Sequence, residues 1–170
     1  MKLIIDGVER FSFFMHVLAG ILLVFMMLVT MADILTRLLF NVSDHSIDIT
    51  FYGGIEIVSY TLLYAILFSL PYSVSHGQVM VDLFTERMSE RKKEFLGGFY
   101  TIGFGLLGVG MCYGLYEAAH RVAETGETTQ DLLIPMSYVY GVAAFAAGIL
   151  ALRGFTVAFE QMASAWRKSS

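Results

Sequence analysis

Four long stretches without charged residues constrain the fold of this chain more than any other feature of its sequence. They run from Phe11 to Ala32, from Ile57 to Ser75, from Phe95 to Tyr116 and from Leu132 to Leu152. Each approaches the roughly 20 apolar residues that a helix needs to cross the hydrocarbon core of a bilayer. With 56% hydrophobic residues in 170, the chain is too apolar for an ordinary soluble domain. It is therefore predicted to be an all-α integral membrane protein.

We predict one membrane domain over residues 1–170, with four transmembrane helices. The spans are expected at about 11–36, 53–75, 95–118 and 131–153. The first apolar run is expected to be a true span, because it exceeds the roughly 7 to 15 apolar residues of a cleavable signal.

The distribution of lysine and arginine predicts the orientation of the four spans. Nine of the eleven lie in the amino terminus, the second connection and the carboxyl terminus, namely Lys2, Arg10, Arg87, Arg91, Lys92, Lys93, Arg153, Arg167 and Lys168. The other two, Arg37 and Arg121, lie on the opposite side. Because short cytoplasmic connections are enriched in these residues, both termini are predicted to be cytoplasmic.

The connection between the second and third spans has its own helical pattern. Met80, Leu83, Phe84 and Met88 recur at helical spacing, and charged residues gather on the other side. This pattern predicts an amphipathic helix at about 79–94 that lies on the cytoplasmic surface of the membrane. A solvated linker helix is the alternative interpretation.

Small residues at intervals of four mark two spans as candidates for close helix packing. Gly110 and Gly114 have this spacing in the third span, and Ala143 and Ala147 have it in the fourth. Small side chains let helix backbones approach closely in lipid. We expect these helices to pack against each other or against a partner.

The ends of these two spans also carry signals. Glu117 and Arg121 are spaced to pair on a helix that stops near Gly126. Thr128 and Asp131 resemble a capping arrangement that starts the fourth helix, which would place Pro135 in its first turns.

No motif in the sequence supports catalysis. The chain has one cysteine, Cys112, and lacks a glycine-rich phosphate loop, a nucleophile elbow and an HExxH sequence. No cofactor is therefore predicted. Ligation of a b-type haem by histidines at the span ends remains one alternative, and its candidates are His16, His45, His76 and His120. A second alternative is a small four-helix transporter that acts as a dimer, with Asp33, Arg37 and Glu56 contacting ions or substrate.

Four motifs in order give the chain a specific resemblance. They are D-x-x-x-R-x-x-F-N from Asp33 to Asn41, G-x-E from Gly54 to Glu56, HGQVMVDLF from His76 to Phe84, and ETTQDLLIPMSYVYG from Glu127 to Gly141. Together they are similar to the small membrane subunit of TRAP (tripartite ATP-independent periplasmic) transporters, the DctQ-type family. The resemblance covers essentially the whole chain.

The resemblance implies a location and a set of partners. The location would be the inner membrane of a bacterium or archaeon. The partners would be a large DctM-type membrane subunit that moves solute and sodium by an elevator-like movement, and a periplasmic DctP-type solute-binding protein that delivers an organic anion. The chain itself would be a scaffold. Its candidate structural or partner-contact residues are Asp33, Arg37, Asn41, Glu56 and Asp82.

The charged residues near the outer ends of the first two spans suggest a shared cluster. Asp33 and Arg37 lie on one side of a helix, and Glu56 is expected at a comparable depth. We hypothesise that the two carboxylates neutralise the arginine and fix the first helix against the second. Contact with a partner and a place in an ion pathway are the alternatives.

Overall fold

The computed structural model describes residues 2–42, 53–76 and 90–167, and these residues form four helices. Helix α1 is Lys2–Val42, α2 is Gly54–His76, α3 is Glu90–Thr125 and α4 is Met136–Arg167. All four are long and apolar enough to cross a membrane. Outside the helices, the described residues show one isolated β-bridge, between Thr128 and Pro135. The prediction of an all-α protein with four membrane helices is confirmed.

Three of the helices are longer than the spans that hydropathy suggested. The 41 residues of α1 make a rod of about 60 Å at about 1.5 Å per residue. The hydrocarbon core of a bilayer is only about 30 Å thick. Helices α3 and α4, with 36 and 32 residues, also exceed that thickness. The long helices therefore tilt in the bilayer or project from it.

The start of α4 differs from the sequence-based expectation. The helix begins at Met136, so Thr128, Asp131 and Pro135 precede it. The carbonyl of Pro135 accepts the first hydrogen bond of the helix, from the Tyr138 N–H at 3.1 Å. A proline just before the first turn is tolerated because its missing N–H would have no helical partner there. The N–H groups around Asp131 have other partners, described below.

The helices form two antiparallel pairs joined through α2 and α4. Helix α1 packs along α2, α3 packs along α4, and α2 meets α4. Met15 of α1, Leu67 of α2, and Ala143 and Ala146 of α4 form a buried core cluster, against which Leu115 of α3 and other partly buried side chains pack. The predicted packing helix α4 therefore lies at the centre of the fold.

The close approach of α3 to α4 uses different glycines from those that the sequence suggested. A Cβ atom on Gly108 would lie 2.5 Å from the backbone nitrogen of Ala151, and one on Gly154 would lie 2.6 Å from that of Gly105. At Gly110 and Gly114 an added Cβ would meet nothing within 4 Å.

Gly110 and Gly114 therefore do not lie in the α3–α4 interface, and their packing against a partner stays a prediction. Gly110 is two residues beyond Gly108, which is about 200° around a helix, so it faces away from α4. On α4, Ala143 and Ala147 are fully buried. The carbonyl of Ala147 lies against Gly108.

One prediction falls on a part of the chain that the structure does not describe in full. Most of the amphipathic helix predicted at 79–94, including Asp82, lies outside the described residues. Residues 90–94 belong to the first turns of α3. The surface helix therefore stays a prediction, as does the cytoplasmic location of the termini.

Candidate functional site

Glu56 fastens the loop between α3 and α4 to the start of α2. Its Oε1 accepts a hydrogen bond from the N–H of Gln130 at 3.0 Å. Its Oε2 accepts from the N–H groups of Asp131 at 3.1 Å and Leu132 at 2.8 Å. Hydrogen bonds to a charged carboxylate are stronger than those between neutral groups. One side chain of α2 therefore positions three consecutive loop residues.

The loop, residues 126–135, is folded so that these N–H groups converge. Gly126 ends α3 in the left-handed conformation, with φ of 69°. The N–H of Thr129 donates to the carbonyl of Ile134 at 2.9 Å, and its hydroxyl accepts from the N–H of Ile134 at 3.0 Å. Leu133 has a φ of 53°, a conformation that is uncommon for a residue other than glycine. The bonds to Glu56 help to hold this tight loop.

Gly53 brings the start of α2 close to the same loop. Its φ of 86° favours glycine. A Cβ atom there would lie 2.9 Å from Cδ2 of Leu132. A side chain at this position would strain the backbone and press on the loop. The Gly-Gly pair was a visible turn signal in the sequence, and the close approach falls on Gly53, one residue before the G-x-E motif.

An open depression of about 560 Å³ lies between the first turns of α2 and the loop. Three carboxylates line it, from Glu56, Glu127 and Asp131, and Ser59 and Tyr60 contribute from α2. No lysine or arginine is among the described residues that line it. The depression therefore has an acidic surface that attracts positively charged groups.

Asp33 and Arg37 form the predicted ion pair on α1. Arg37 Nε donates to Asp33 Oδ2 at 2.9 Å, and the two side chains are 54% and 18% exposed respectively. The second oxygen of Asp33, Oδ1, is buried and has no partner among the described residues. Asn41, one turn beyond Arg37, is exposed. These residues leave a polar stripe along the end of α1.

The structure does not place Glu56 in a cluster with Asp33 and Arg37. Its two oxygens are used by the loop amides instead. The expected three-residue cluster is therefore corrected to two separate units, an ion pair on α1 and a carboxylate that holds the loop. Sequence reasoning could estimate the depth of Glu56 but not the side of α2 on which it lies.

A second charged contact lies at the opposite end of the bundle. Arg153 Nη2 lies 3.2 Å from Oε2 of Glu9 on α1, and it donates to Oγ of Ser75 on α2 at 3.2 Å. The Arg153 side chain is only 2% exposed. From its position in the sequence this arginine was expected in the carboxyl-terminal segment, but it lies inside α4. Its position within the apolar sequence LALRGF was the signal for burial.

The remaining candidates that the structure describes do not gather into a site, and His45 and Asp82 lie outside the described residues. Within the parts of the chain that the structure describes, no three His, Cys, Asp or Glu side chains are placed to hold a metal ion. The ring of His16 lies 5.0 Å from that of Tyr72, and the ring of His120 lies 4.7 Å from that of Tyr116. The described polar contacts thus either join separate segments, as those of Glu56 and Arg153 do, or lie within one helix, as that of Asp33 with Arg37 does.

Comparison with known families gives a match over most of the chain. The model described as "Tripartite ATP-independent periplasmic transporters, DctQ component" matches residues 26–167. Comparisons with curated proteins and with solved structures give no significant match. The matched family is a transporter component of the inner membrane, not an enzyme, and four apolar helices fit a multi-pass protein there. Since the match covers most of the 170 residues, the chain belongs to the DctQ family, the small membrane subunits of TRAP transporters.

Proposed function

We propose that this chain is the scaffold subunit of a sodium-coupled TRAP transporter for organic anions. In the proposal, a large DctM-type subunit carries solute and sodium by an elevator-like movement. A periplasmic DctP-type protein delivers the solute. Membership of a tripartite transporter family supports this set of partners. The DctQ-type chain provides a fixed support for both.

The attachment of the loop to Glu56 is the observation that carries the scaffold proposal. A scaffold has to present a surface of defined shape, because ordering a mobile loop on binding would reduce the affinity for the partner. The three hydrogen bonds to Glu56 order the loop before any partner arrives. A loop held in this way is suited to binding a partner protein and not to moving during transport.

The charged residues support the same role. Secondary transporters place ion and substrate sites near the middle of the membrane, in broken helices. Here the ion pair of Asp33 with Arg37 lies within the last third of α1, and the partners of Arg153, Glu9 and Ser75, lie near the ends of α1 and α2. Charges in these positions stabilise packing and can guide assembly. Sodium and solute binding are assigned to the large subunit.

The proposed orientation places the loop of residues 126–135 in the periplasm. Arg153 is buried in α4 and is therefore removed from the count of loop charges. Eight lysines and arginines remain on the proposed cytoplasmic side, against Arg37 and Arg121 on the other. The asymmetry still favours cytoplasmic termini. The acidic depression beside Glu56 would then face the solute-binding protein.

The proposal assigns that depression to a basic group of the solute-binding protein. Its carboxylates would attract a lysine or arginine side chain during docking. Such contacts at an exposed surface mainly increase the rate of association and weaken at high salt.

Reconstitution in vesicles tests the proposed function. The whole complex should take up an organic anion only with sodium and the solute-binding protein present, whereas the purified DctQ-type chain alone should take up none. Affinity purification from native membranes should recover a large multispanning partner. Uptake by the chain alone, or recovery of only a self-dimer, would support the small-transporter alternative and reject the scaffold role.

A further inference from the structure

Arg153 is the one buried charged side chain of the described core, and the loop and depression give it no role. It lies in α4, and its side chain is 2% exposed. An arginine inside a membrane helix is costly unless its charge is balanced and its donors are satisfied. Its contacts should therefore show what it does.

One corner of the guanidinium group joins three helices. The Nη2 atom is 3.2 Å from the carboxylate of Glu9 on α1 and 3.2 Å from the hydroxyl of Ser75 on α2. Helix α1 packs mainly on α2 and makes little direct contact with α4. The arginine thus links the α1–α2 pair to α4 at one end of the bundle.

The other edge of the same group is unused. The Nε and Nη1 atoms of Arg153 are buried and have no hydrogen-bond partner among the described residues. Together they carry three N–H donors, since a guanidinium group has five. Buried polar groups almost always have a partner, because leaving one unpaired is unfavourable. This edge therefore has the character of a binding site.

Charge and access determine what the edge can accept. Glu9, whose side chain is 50% exposed, already balances the arginine, so a second anion would leave a net negative charge beside the buried guanidinium group. The 2% exposure of Arg153 also leaves no opening for a lipid phosphate. A small neutral acceptor satisfies both conditions, and water is the molecule that commonly fills such sites in proteins.

A second buried nitrogen lies on the same side of α1. Nδ1 of His16 has no partner among the described residues. His16 and Glu9 are seven residues apart, so they share one helix face. The ring of His16 contacts Tyr72, which precedes Ser75 by three residues on α2. The polar surface around Arg153 thus continues between α1 and α2.

We propose that Arg153 is a hydrated clamp at the junction of α1, α2 and α4. Its Nη2 atom holds Glu9 and Ser75, and its Nε and Nη1 edge binds one or two ordered water molecules. This clamp fixes the α1–α2 pair on the α3–α4 pair. The site is separate from Glu56 and the loop, and it does not depend on the identity of the transported solute.

Variants of Arg153 test the clamp. Cysteines in place of Phe11 and Phe145, whose rings are 6.2 Å apart, report the contact of α1 with α4 through a short bifunctional thiol reagent, with Cys112→Ser as background. Arg153→Met keeps most of the volume but removes all donors, and should lower the cross-linking rate about tenfold. In Arg153→Lys the new side chain can still reach Glu9, so the cross-linking rate should lie between the rates of Arg153→Met and the parent. The matched control, Arg121→Met, removes an exposed arginine and should leave the rate unchanged.

Two results of this series would overturn the proposal. If Arg153→Met cross-links as fast as the parent, the arginine does not hold α1 against α4. If Arg153→Lys equals the parent in cross-linking and in recovery of the complex, the second edge of the guanidinium binds nothing of consequence.

A cryo-EM map of the whole complex in lipid nanodiscs tests the ligand directly. At a resolution that shows water, we expect one or two isolated peaks within about 2.7 to 3.2 Å of Nε and Nη1. Density continuous with an acyl chain would identify a lipid phosphate instead. A carboxylate on this edge, or an edge without density, would equally reject the water site.

Discussion

The carboxylate of Glu56 accepts a hydrogen bond from the backbone N–H of Leu132 at 2.8 Å, although 76 residues separate them. This contact connects the first turn of α2 to the loop before α4, and therefore connects the two helix pairs at one end of the bundle. Arg153 makes the corresponding connection at the other end, through Glu9 and Ser75. The small subunit is thus fastened at both ends by polar contacts, with an apolar core between them.

Removing the carboxylate of Glu56 should loosen the loop without unfolding the helices. In Glu56→Ala the N–H groups of residues 130–132 lose their acceptor, so their hydrogen exchange should accelerate several-fold. In Glu56→Gln the rate of hydrogen exchange should lie between the rates in Glu56→Ala and in the parent. An amide has one strong acceptor oxygen, whereas a carboxylate has two. Exchange measured by mass spectrometry in detergent or nanodiscs gives the result.

Glu124→Ala is the matched control for that experiment, since Glu124 is an exposed acid near the end of α3. It should leave exchange in the loop unchanged. Equal exchange in Glu56→Ala and the parent would show that the loop holds its shape without this carboxylate.

The two kinds of glycine in α3 should differ sharply in their tolerance of a side chain. Gly108→Val places atoms where the backbone of Ala151 lies, so it should separate α3 from α4 and destabilise the chain by about 1 to 3 kcal/mol. Gly110→Val meets open space and should have little effect. The two positions lie two residues apart in the same helix and receive the same residue. The change in helix propensity is therefore the same in both variants. Unfolding of the purified chain in lipid micelles measures the difference, and equal destabilisation would contradict the packing described here.

The sequence was sufficient to predict the number of helices, because a long uncharged run in a protein rarely forms anything other than a membrane-spanning helix. The pairing of Asp33 with Arg37 followed in the same way, since residues four apart on a helix are neighbours. Contacts between segments that are distant in the sequence were harder to predict. The partners of Glu56 are backbone N–H groups, which every residue except proline carries, so no side-chain pattern marks them.

Helix rotation explains the other differences from the sequence-based expectations. Glycines at 103, 105, 108, 110 and 114 put small residues on more than one face of α3, and spacing alone does not show which face meets α4. For Arg153, counting lysines and arginines by position treats each as a loop residue. Its burial depends on Glu9, which is far away in the sequence.

Labelling with an impermeant thiol reagent should establish the orientation. With Cys112→Ser as background, Thr125→Cys should react from outside intact cells, because the end of α3 is proposed to be periplasmic. Trp166→Cys, at an exposed position near the end of α4, should react only after the membrane is made permeable. The opposite pattern would reverse the topology and remove the loop from the side of the solute-binding protein.

Arg37→Ala should separate the stability of the chain from the assembly of the complex. Since Arg37 is 54% exposed, loss of its ion pair should change the free energy of unfolding of the isolated chain by no more than about 1 kcal/mol. Recovery of the large subunit should nevertheless fall, because the substitution removes the counter-charge of Asp33 from the polar stripe on α1. Complex that still forms should keep its solute preference and sodium dependence, since these are assigned to the large subunit.

Arg121→Ala provides the control for this prediction, because Arg121 also pairs with an acid one turn away on its own helix, Glu117, at 3.5 Å. If exposed ion pairs matter only through the stability of their own helix, the two variants will behave alike and the stripe on α1 is not an assembly surface. If Arg37→Ala instead leaves assembly intact but alters the number of sodium ions coupled to uptake, the ion pair belongs to the transport pathway. A fall in recovery that is specific to Arg37→Ala assigns the exposed end of α1 to the contact with the large subunit.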